Sequence, residues 1–348
     1  MNKKPTLQMV AKLAKVSPAT VTRVAAGNHA VDAAIRDQVY RAAAKLGMSL
    51  DERRHSKSRI LGFLLANRDV LHSFQARVLL GAERYCAQHQ WELLFMSFQY
   101  SPTMSADSLH LPQILSDRTN ARAVILGGTN SANLFQALST RGIPFAVLGN
   151  NVIGDWKPEA YDVVYSDDVA GARDATRHLI ANGHQRIAFI GNLQLPWFAH
   201  CARGYGEAMV AAGLEPRSID VRTDGTELGF LGAKMLIENR GGVTAILAGT
   251  DQVAAGIYSA LREAGVPVPE GMSVVGFNDT QAALFYPPLT SVREFPEELG
   301  RHLAELVLNR LRSPRLPPQQ VTIPTGLEVR QSVSKLSEAN AAVKRRAR

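Results

Sequence analysis

The chain lacks the sequence features that are typical of secreted and membrane proteins. Its 348 residues include only two cysteines, Cys86 and Cys201, which are too few for a disulfide framework. No stretch approaches the roughly 18 consecutive apolar residues of a transmembrane helix. No apolar run follows the lysines near the start, so we expect no secretory signal. We therefore expect a cytoplasmic protein without a membrane partner.

The usual catalytic motifs are also missing. The sequence has no G-x-G-x-x-G after a predicted strand, no P-loop, no H-E-x-x-H and no G-x-S-x-G. Its nine histidines are scattered without the spacing of metal ligands. We predict no catalytic residue, no metal site and no cofactor, and hence no enzyme.

The excess of positive charge is confined to one end of the chain. Residues 1–59 contain 12 Lys and Arg against 4 Asp and Glu, whereas the remaining residues contain 27 of each kind. Such a concentration is typical of a module that binds a polyanion. An anionic membrane surface is the competing partner, but the absence of a long apolar stretch favours nucleic acid.

The same basic segment has the pattern of three short helices. Thr6 can cap a helix of about residues 7–14, Ser17 can cap a second helix that begins at Pro18, and a third covers about residues 32–46. Two short helices, a tight connection and a bracing third helix predict a helix-turn-helix. Three helices could also form an unrelated small bundle, and the local charge is what favours a DNA-binding head.

The second helix has one apolar face and one small polar face. Val21 and Val24 lie three residues apart and can both point inward. On the outward face we expect hydroxyls to contact phosphates and the other side chains to face bases. Most base discrimination falls to Arg23, because Ala19 offers only a methyl group to thymine. The phosphate-contacting hydroxyls are those of Ser17, Thr20 and Thr22, and the predicted DNA-contact set also contains Thr6, Leu7, Pro18, Ala19 and Arg23.

The basic segment contains two short motifs, TLQMVA at residues 6–11 and VSPATVTRV at residues 16–24, which together form one recognisable signature. Together with Gly191, Gly204-Tyr205, SVVGFND at residues 273–279 and PPLT at residues 287–290, it resembles the lactose-repressor (LacI/GalR) family of transcription regulators. The resemblance covers nearly the whole chain. It implies a regulator that binds operator DNA as a homodimer and responds to a small molecule.

The rest of the chain divides by composition. From residue 60 onward, apolar runs alternate with amphipathic stretches, which predicts parallel sheets covered by helices on both faces. In the family, the linker region holds a hinge helix with an Ala-Arg-x-Leu motif that this sequence lacks. The linker arginines either follow the DNA backbone or belong to a solvated tether. The predicted domains are a head (1–47), a short linker (48–59), a body (60–334) and a basic, disordered tail (335–348).

The resemblance implies that the body consists of two Rossmann-like lobes joined by three crossings of the chain. We place the crossings near Asp162, near residues 289–292 and near residues 323–324. The fold class is thus a small all-α helix-turn-helix head with an α/β body like that of periplasmic binding proteins. Lobe 1 would comprise about residues 60–161 and 290–322, and lobe 2 about residues 162–289 and 323–334.

Ligands of doubly wound sheets bind at the carboxyl ends of the strands, so we expect the effector between the lobes. Phe74, Asn150, Thr250 and Asn278 are candidates because they follow predicted strands or open helices there. Asn278 stands where the family carries an Asp, and it can donate as well as accept hydrogen bonds. Asp251 either contacts the ligand or caps the helix that follows it.

A second group of candidates lies in residues 196–205. Trp197 and Phe198 either stack on a sugar or base, or close the core of their lobe. Cys201 stands where many relatives carry an effector-binding arginine, and Arg203 could substitute only through a local shift of the backbone. The complete effector set is Phe74, Asn150, Trp197, Phe198, Cys201, Arg203, Thr250, Asp251 and Asn278.

The sequence therefore predicts a nucleoid-associated repressor of carbohydrate or related catabolic genes. Its partners would be a palindromic double-stranded operator, a sugar or sugar derivative, and a second copy of the chain. A solute-binding protein and an α/β enzyme acting on sugars or nucleosides are the alternatives. The basic head argues against the first, and the missing catalytic motifs argue against the second.

Overall fold

The computed structural model describes residues 6–25, 31–46, 48, 50, 59–68, 73–116, 121–239 and 242–336. Most of the predicted linker (48–59) and nearly all of the predicted tail (335–348) lie outside these residues. The predictions of a tether or hinge helix and of a disordered tail are therefore not addressed by the structure.

The N-terminal segment folds into three helices, α1 (Leu7–Leu13), α2 (Pro18–Ala25) and α3 (Ala33–Lys45). The Thr6 hydroxyl accepts a hydrogen bond from the Met9 amide and so caps α1. Lys15 has a φ of 49° in the tight connection between α1 and α2. The helices enclose a small core formed by Val10, Ala11, Ala14, Val21, Val24, Val39, Ala42, Ala43 and Leu50.

Lobe 1 is built on a six-stranded parallel sheet with the order β13-β7-β5-β3-β1-β2. Alternate residues of β1 enter the cores on the two faces of this sheet: Leu61 and Phe63 on one, Leu64 and Ala66 on the other. The strands are β1 (Ile60–Ala66), β2 (Glu92–Phe98), β3 (Val124–Gly128), β5 (Phe145–Leu148), β7 (Asp162–Ser166) and β13 (Gln320–Ile323). The helices are α4 (Ser73–Gln88), α5 (Gln113–Ser116), α6 (Ala132–Thr140) and α11 (Pro296–Arg312), and β4 (Asn130–Ser131) pairs with β6 (Val152–Ile153).

Lobe 2 repeats this architecture with the strand order β14-β12-β11-β10-β8-β9. The described pairs are parallel except that β14 runs antiparallel to β12. Its strands are β8 (Ile187–Gly191), β9 (Arg217–Asp220), β10 (Ala245–Ala248), β11 (Ser273–Asn278), β12 (Thr290–Arg293) and β14 (Gly326–Glu328). Its helices are α7 (Asp168–Ala181), α8 (Pro196–Ala211), α9 (Gly225–Glu238) and α10 (Asp251–Glu263). The predicted fold class is confirmed.

Two of the three crossings lie later in the chain than predicted. β7 pairs with β5 in lobe 1, so the chain leaves that lobe after Ser166 and not near Asp162. β12 pairs with β11 in lobe 2, so the second crossing follows Arg293 and not residues 289–292. An apolar strand has the same pattern in either sheet, and only its pairing partner decides which lobe it joins.

Candidate functional site

The outward face of α2 is small and polar. Ser17, Pro18, Ala19, Thr22 and Arg23 are exposed. The Ser17 hydroxyl accepts a hydrogen bond from the Thr20 amide at 3.0 Å, which fixes the start of the helix. Arg23 makes no hydrogen bond or ion pair with the residues that the structure describes. Among the described residues, nothing therefore competes with an external partner for its guanidinium.

The remaining predicted DNA contacts have roles inside the head. The Thr20 hydroxyl shares a 2.8 Å hydrogen bond with that of Ser17, and the Thr22 hydroxyl donates to the Pro18 carbonyl at 3.0 Å. Thr6 caps α1, and Leu7 packs partly against the head core. Each hydroxyl keeps further hydrogen-bonding capacity, so these bonds hold it in place on the surface.

A cleft lies between the lobes, at the carboxyl ends of the strands. Lobe 1 contributes the segments after β1 and β5 and the start of α4. Lobe 2 contributes the starts of four helices and the end of β11. The lining residues are Arg68, Phe74, Gln75, Asn150, Asn151, Asp168, Trp197, Cys201, Asp224, Gly249, Thr250, Gln252, Phe277, Asn278 and Glu294.

Three contacts tie the lobes together across this cleft. Arg68 of lobe 1 forms an ion pair with Asp224 of lobe 2, with 2.7 Å between Nη1 and Oδ2. The same guanidinium lies over the indole of Trp197, 4.1 Å from the ring centroid. Asn150 donates a 2.6 Å hydrogen bond to Asp168. The structure thus shows the two lobes closed onto each other.

Two buried carboxyls face each other inside the cleft. Burial first, and then the charge of Glu294, raises the pKa of Asp168 well above its ordinary value. Burial also raises the pKa of Glu294, although a hydrogen bond donated by Asn278 lowers it. Burial and then the two carboxyls raise the pKa of the Cys201 thiol, so that it is neutral. Two like charges this close favour one proton held between them.

Six of the nine candidates for effector binding line the cleft. They are Phe74, Asn150, Trp197, Cys201, Thr250 and Asn278. Phe74 and Trp197 come from opposite lobes, Cys201 lies in the second turn of α8, and Thr250 caps the start of α10. The structure brings these residues together, and their contact with a ligand stays a prediction.

The other three candidates lie elsewhere, which corrects the predicted set. Phe198 is fully buried in the lobe 2 core, as one of the two alternatives for it held. Arg203 points outward, with its side chain 64% exposed and 3.9 Å from Glu207, because α8 is regular and no backbone shift turns it inward. Asp251 is buried behind the cleft, where it accepts hydrogen bonds from the Ser291 hydroxyl and the Thr280 amide.

Several lining residues were not predicted, and the most important are Asp168 and Glu294. The pair Asp167-Asp168 looks like a helix start, and Asp167 does cap α7 by accepting from the Ala170 amide at 3.1 Å. Because capping alone accounts for an acidic pair at a helix start, the sequence gives no separate signal that Asp168 lines the cleft. Glu294 lies in a crossing that was placed too early, so its position at a strand end could not be recognised.

A helix-turn-helix head followed by a two-lobed body with a polar cleft defines a DNA-binding regulator with a site for a small molecule. A family model described as "Bacterial regulatory proteins, lacI family" matches residues 6–49. Another, described as "Periplasmic binding protein-like domain", matches residues 176–333.

Relatives of known description match the chain over nearly its full length. The chain is 30% identical over 341 residues to the HTH-type transcriptional regulator CelR of Thermobifida fusca, which covers 95% of this chain and 98% of that protein. It is 28% identical over 341 residues to the ribose operon repressor of Haemophilus influenzae, covering 95% and 99%. The chain therefore belongs to the lacI family of bacterial regulatory proteins.

Solved structures show the same fold. The transcriptional regulator CelR-cellobiose complex matches with a TM-score of 0.68 at 28% identity, covering 94% of this chain and 99% of that one. The lac repressor dimer bound to operator and the anti-inducer ONPF matches with a TM-score of 0.68 at 22% identity, covering 95% and 100%. At that identity the second match is a statement about fold alone.

The described residues lack both a membrane-spanning helix and a metal-binding cluster. None of the helices there is long and apolar enough to span a bilayer. Within the same residues, no group of three or more His, Cys, Asp or Glu side chains is arranged to hold a metal ion.

Proposed function

We propose that this protein is a repressor that binds a near-palindromic operator as a homodimer and changes its DNA affinity when a small polar molecule enters the cleft. Carbohydrate or related catabolic genes are its targets, and its place is the nucleoid in the cytoplasm. The observation that carries this proposal is the cleft itself, which is closed by cross-lobe contacts in a chain that also has a DNA-binding head. In this proposal the protein has no catalytic role.

The DNA half of the proposal rests on α2. Its exposed face has small side chains that permit close approach to base edges, and Arg23 can reach a guanine or a phosphate. One such helix covers only a few base pairs. Two heads related by a two-fold axis would read two half-sites in successive major grooves, which is why a near-palindromic operator is expected.

The effector half rests on the groups that line the cleft. Two aromatic residues, Phe74 and Trp197, line the cleft together with amide and hydroxyl groups. This combination suits a sugar, which has an apolar ring face and a rim of hydroxyls. The complex of CelR with cellobiose and the ribose operon repressor, both among the relatives above, support a carbohydrate as the ligand class.

The two halves would be coupled by closure of the lobes. A ligand shifts an equilibrium between conformations only through its different affinity for them. Here, the closed arrangement depends on contacts from both lobes, such as the pair Arg68–Asp224 and the bond from Asn150 to Asp168. A ligand that adds further contacts across the cleft would favour this state and reposition the segments that lead to the head.

Selection of duplex DNA from a random pool by the intact protein tests this function. We expect a two-fold symmetric site, and we expect its affinity to change when metabolite extract is added. An absence of preference for any duplex, with and without extract, would overturn the proposal. A turnover assay on sugars and nucleosides addresses the enzyme alternative, for which we expect no product.

A further inference from the structure

The cleft carries an excess of negative charge. Among the lining residues that the structure describes, the carboxyls are those of Asp168, Asp224 and Glu294, and the one cation is Arg68. Arg68 is already engaged by Asp224 at 2.7 Å and by the ring of Trp197. Asp168 and Glu294 therefore have no cationic partner within the described part of the cleft.

These two carboxyls are deeply buried, with relative exposures of 4% and 5%. Asn150 donates to Oδ2 of Asp168 at 2.6 Å, and Asn278 donates to Oε2 of Glu294. The other oxygen of Asp168, Oδ1, is buried and has no hydrogen-bond partner among the described residues. A buried acceptor without a donor is an uncommon feature in a folded protein, and here it belongs to a residue that lines the cleft.

The described groups around the pair do not compensate its charge. The Cys201 thiol is neutral, and Asp251 lies behind Glu294 and adds further negative potential. The segments that face the pair supply amides and hydroxyls, as from Asn278 and Ser166, but no ammonium or imidazolium is among their described contacts. A ligand that brings a positive charge would meet two acceptors already in place.

We propose that the effector is an amine-bearing sugar, whose protonated amino group is bound between the carboxyls of Asp168 and Glu294 while its ring lies between Phe74 and Trp197. This inference rests on the proposed function and specifies the ligand class of the same cleft. An anionic sugar derivative would find no unpaired cation among the described lining residues. A neutral sugar would leave the two carboxyls with only their shared proton and no counter-charge from the ligand.

Binding of the amine would also displace a proton. Without a cation, the facing carboxyls favour one shared proton. An ammonium group between them allows both to ionise, so the proton is released to solvent while the ammonium keeps its own. Amine binding by the protein is therefore expected to strengthen as the pH rises toward the pKa of the amine. The neutral parent sugar should not show this dependence.

Calorimetry on the intact protein tests the ligand class. The probes are D-glucosamine, D-galactosamine and D-mannosamine, each compared with its N-acetyl form and its parent hexose. We expect at least one amine to bind about tenfold or more tightly than both of its matched controls, because charge-assisted hydrogen bonds are the stronger ones. A neutral hexose or N-acetyl sugar that binds as tightly as its amine would overturn the inference, as would the absence of binding by all three amines.

Variants separate the carboxyl pair from general effects on folding. Glu294→Gln keeps the size and the acceptor for Asn278 but removes the charge, and Asp168→Asn does the same for its partner. We expect either variant to lose about tenfold in amine affinity while binding of the parent hexose changes little. Glu298 is an exposed acid in the first turn of α11, four residues after Glu294. The variant Glu298→Gln therefore serves as the matched control and should bind the amine like the parent protein. Unchanged amine binding by both cleft variants would refute the assignment.

The outcome for the ligand class is separable from the outcome for the proposed function. If the protein selects an operator but responds to a neutral sugar, the proposed function stands and the inference of an amine-bearing effector fails. If the protein selects no duplex but binds an amine in a way that Glu294→Gln weakens, the amine site stands and the proposed function as a DNA-binding repressor fails. The two results are read from independent assays.

Discussion

At the scale of single residues, Arg23 is the side chain on which DNA specificity depends most. It is exposed on α2 and makes no hydrogen bond or ion pair with the described residues. Replacement by Ala should weaken operator binding by about 1–3 kcal/mol and relax the preference at one base position. Electrophoretic mobility shifts on the selected operator and on random duplex measure both effects. An equal loss on the two duplexes would mean that Arg23 contacts only phosphate.

The buried acid Glu294 makes the stability of the protein depend on pH. Its pKa is raised on folding by burial, so the folded state keeps a proton that the unfolded chain has released. The stabilising contribution is complete below the ordinary carboxyl pKa and is lost as the pH rises through the folded pKa. Asp251, whose pKa burial raises to about 6, acts in the same direction.

It follows that Glu294→Gln should be more stable than the parent protein at about pH 8, by about 1–3 kcal/mol, and nearly equal to it at about pH 5. Thermal unfolding without ligand at the two pH values measures the difference. Glu298→Gln, which alters an exposed acid, should show no such trend. A stability difference that does not grow with pH would contradict the burial argument for Glu294.

At the scale of elements, helices in three pairs approach so closely that glycine is required at the contacts. A Cβ at Gly300 of α11 would overlap the carbonyl of Val78 in α4, and one at Gly229 of α9 would overlap that of Val253 in α10. In the third pair, a Cβ at Gly204 of α8 would overlap a carbonyl of α7. Each neighbour is backbone, which cannot yield as a flexible side chain can.

Helix α8 offers an internal comparison. Gly204→Ala should destabilise the protein by about 1–3 kcal/mol, because its methyl group would meet the carbonyl of Val169. Gly206→Ala, two residues later, meets nothing within 4 Å and should stabilise it by up to about 1 kcal/mol through helix propensity. Chemical denaturation of the two variants gives both values. Equal effects would show that the α7–α8 contact is looser than the structure indicates.

At the scale of the whole molecule, closure of the lobes depends in part on one ion pair. Asp224→Asn removes the charge that Arg68 binds but keeps a side chain that can cap α9. Because Asp224 is partly exposed, we expect only a two- to fivefold loss of effector affinity, about the contribution of a surface pair. Calorimetry measures the affinity, and small-angle scattering should show a more open body. Unchanged scattering and affinity would remove this pair from the closing contacts.

The proposed homodimer needs a surface on the body, and the segment between β11 and β12 offers one. Leu284 and Tyr286 are 84% and 96% exposed there, which is unusual for large apolar side chains near each other. The double variant Leu284→Ser, Tyr286→Ser should raise the dimer dissociation constant about tenfold in analytical ultracentrifugation. Val210→Ser, at an exposed position of α8, is the control, and a double variant that dimerises like it would exclude this surface.

Much of the site could be anticipated from particular residues. The helix starts at Thr6 and Ser17 are local features, because a cap depends on a few neighbouring residues. Six candidates line the cleft since strand ends and helix starts can be located from the apolar pattern. Arg203 shows the limit of that approach: its sequence position is close to the right one, but a helix turns by a fixed angle per residue and carries it to solvent.

The sequence by itself determined the basic head, its three helices and the alternation that leads to two parallel sheets, because these depend on charge and on the period of apolar residues. Only the tertiary structure decided which sheet β7 and β12 join, and with them the true crossings. It also brought Asp168 and Glu294 face to face, although they are far apart in the chain. Local patterns do not encode such pairs, since the electrostatics of two carboxyls arise only when folding removes water from both.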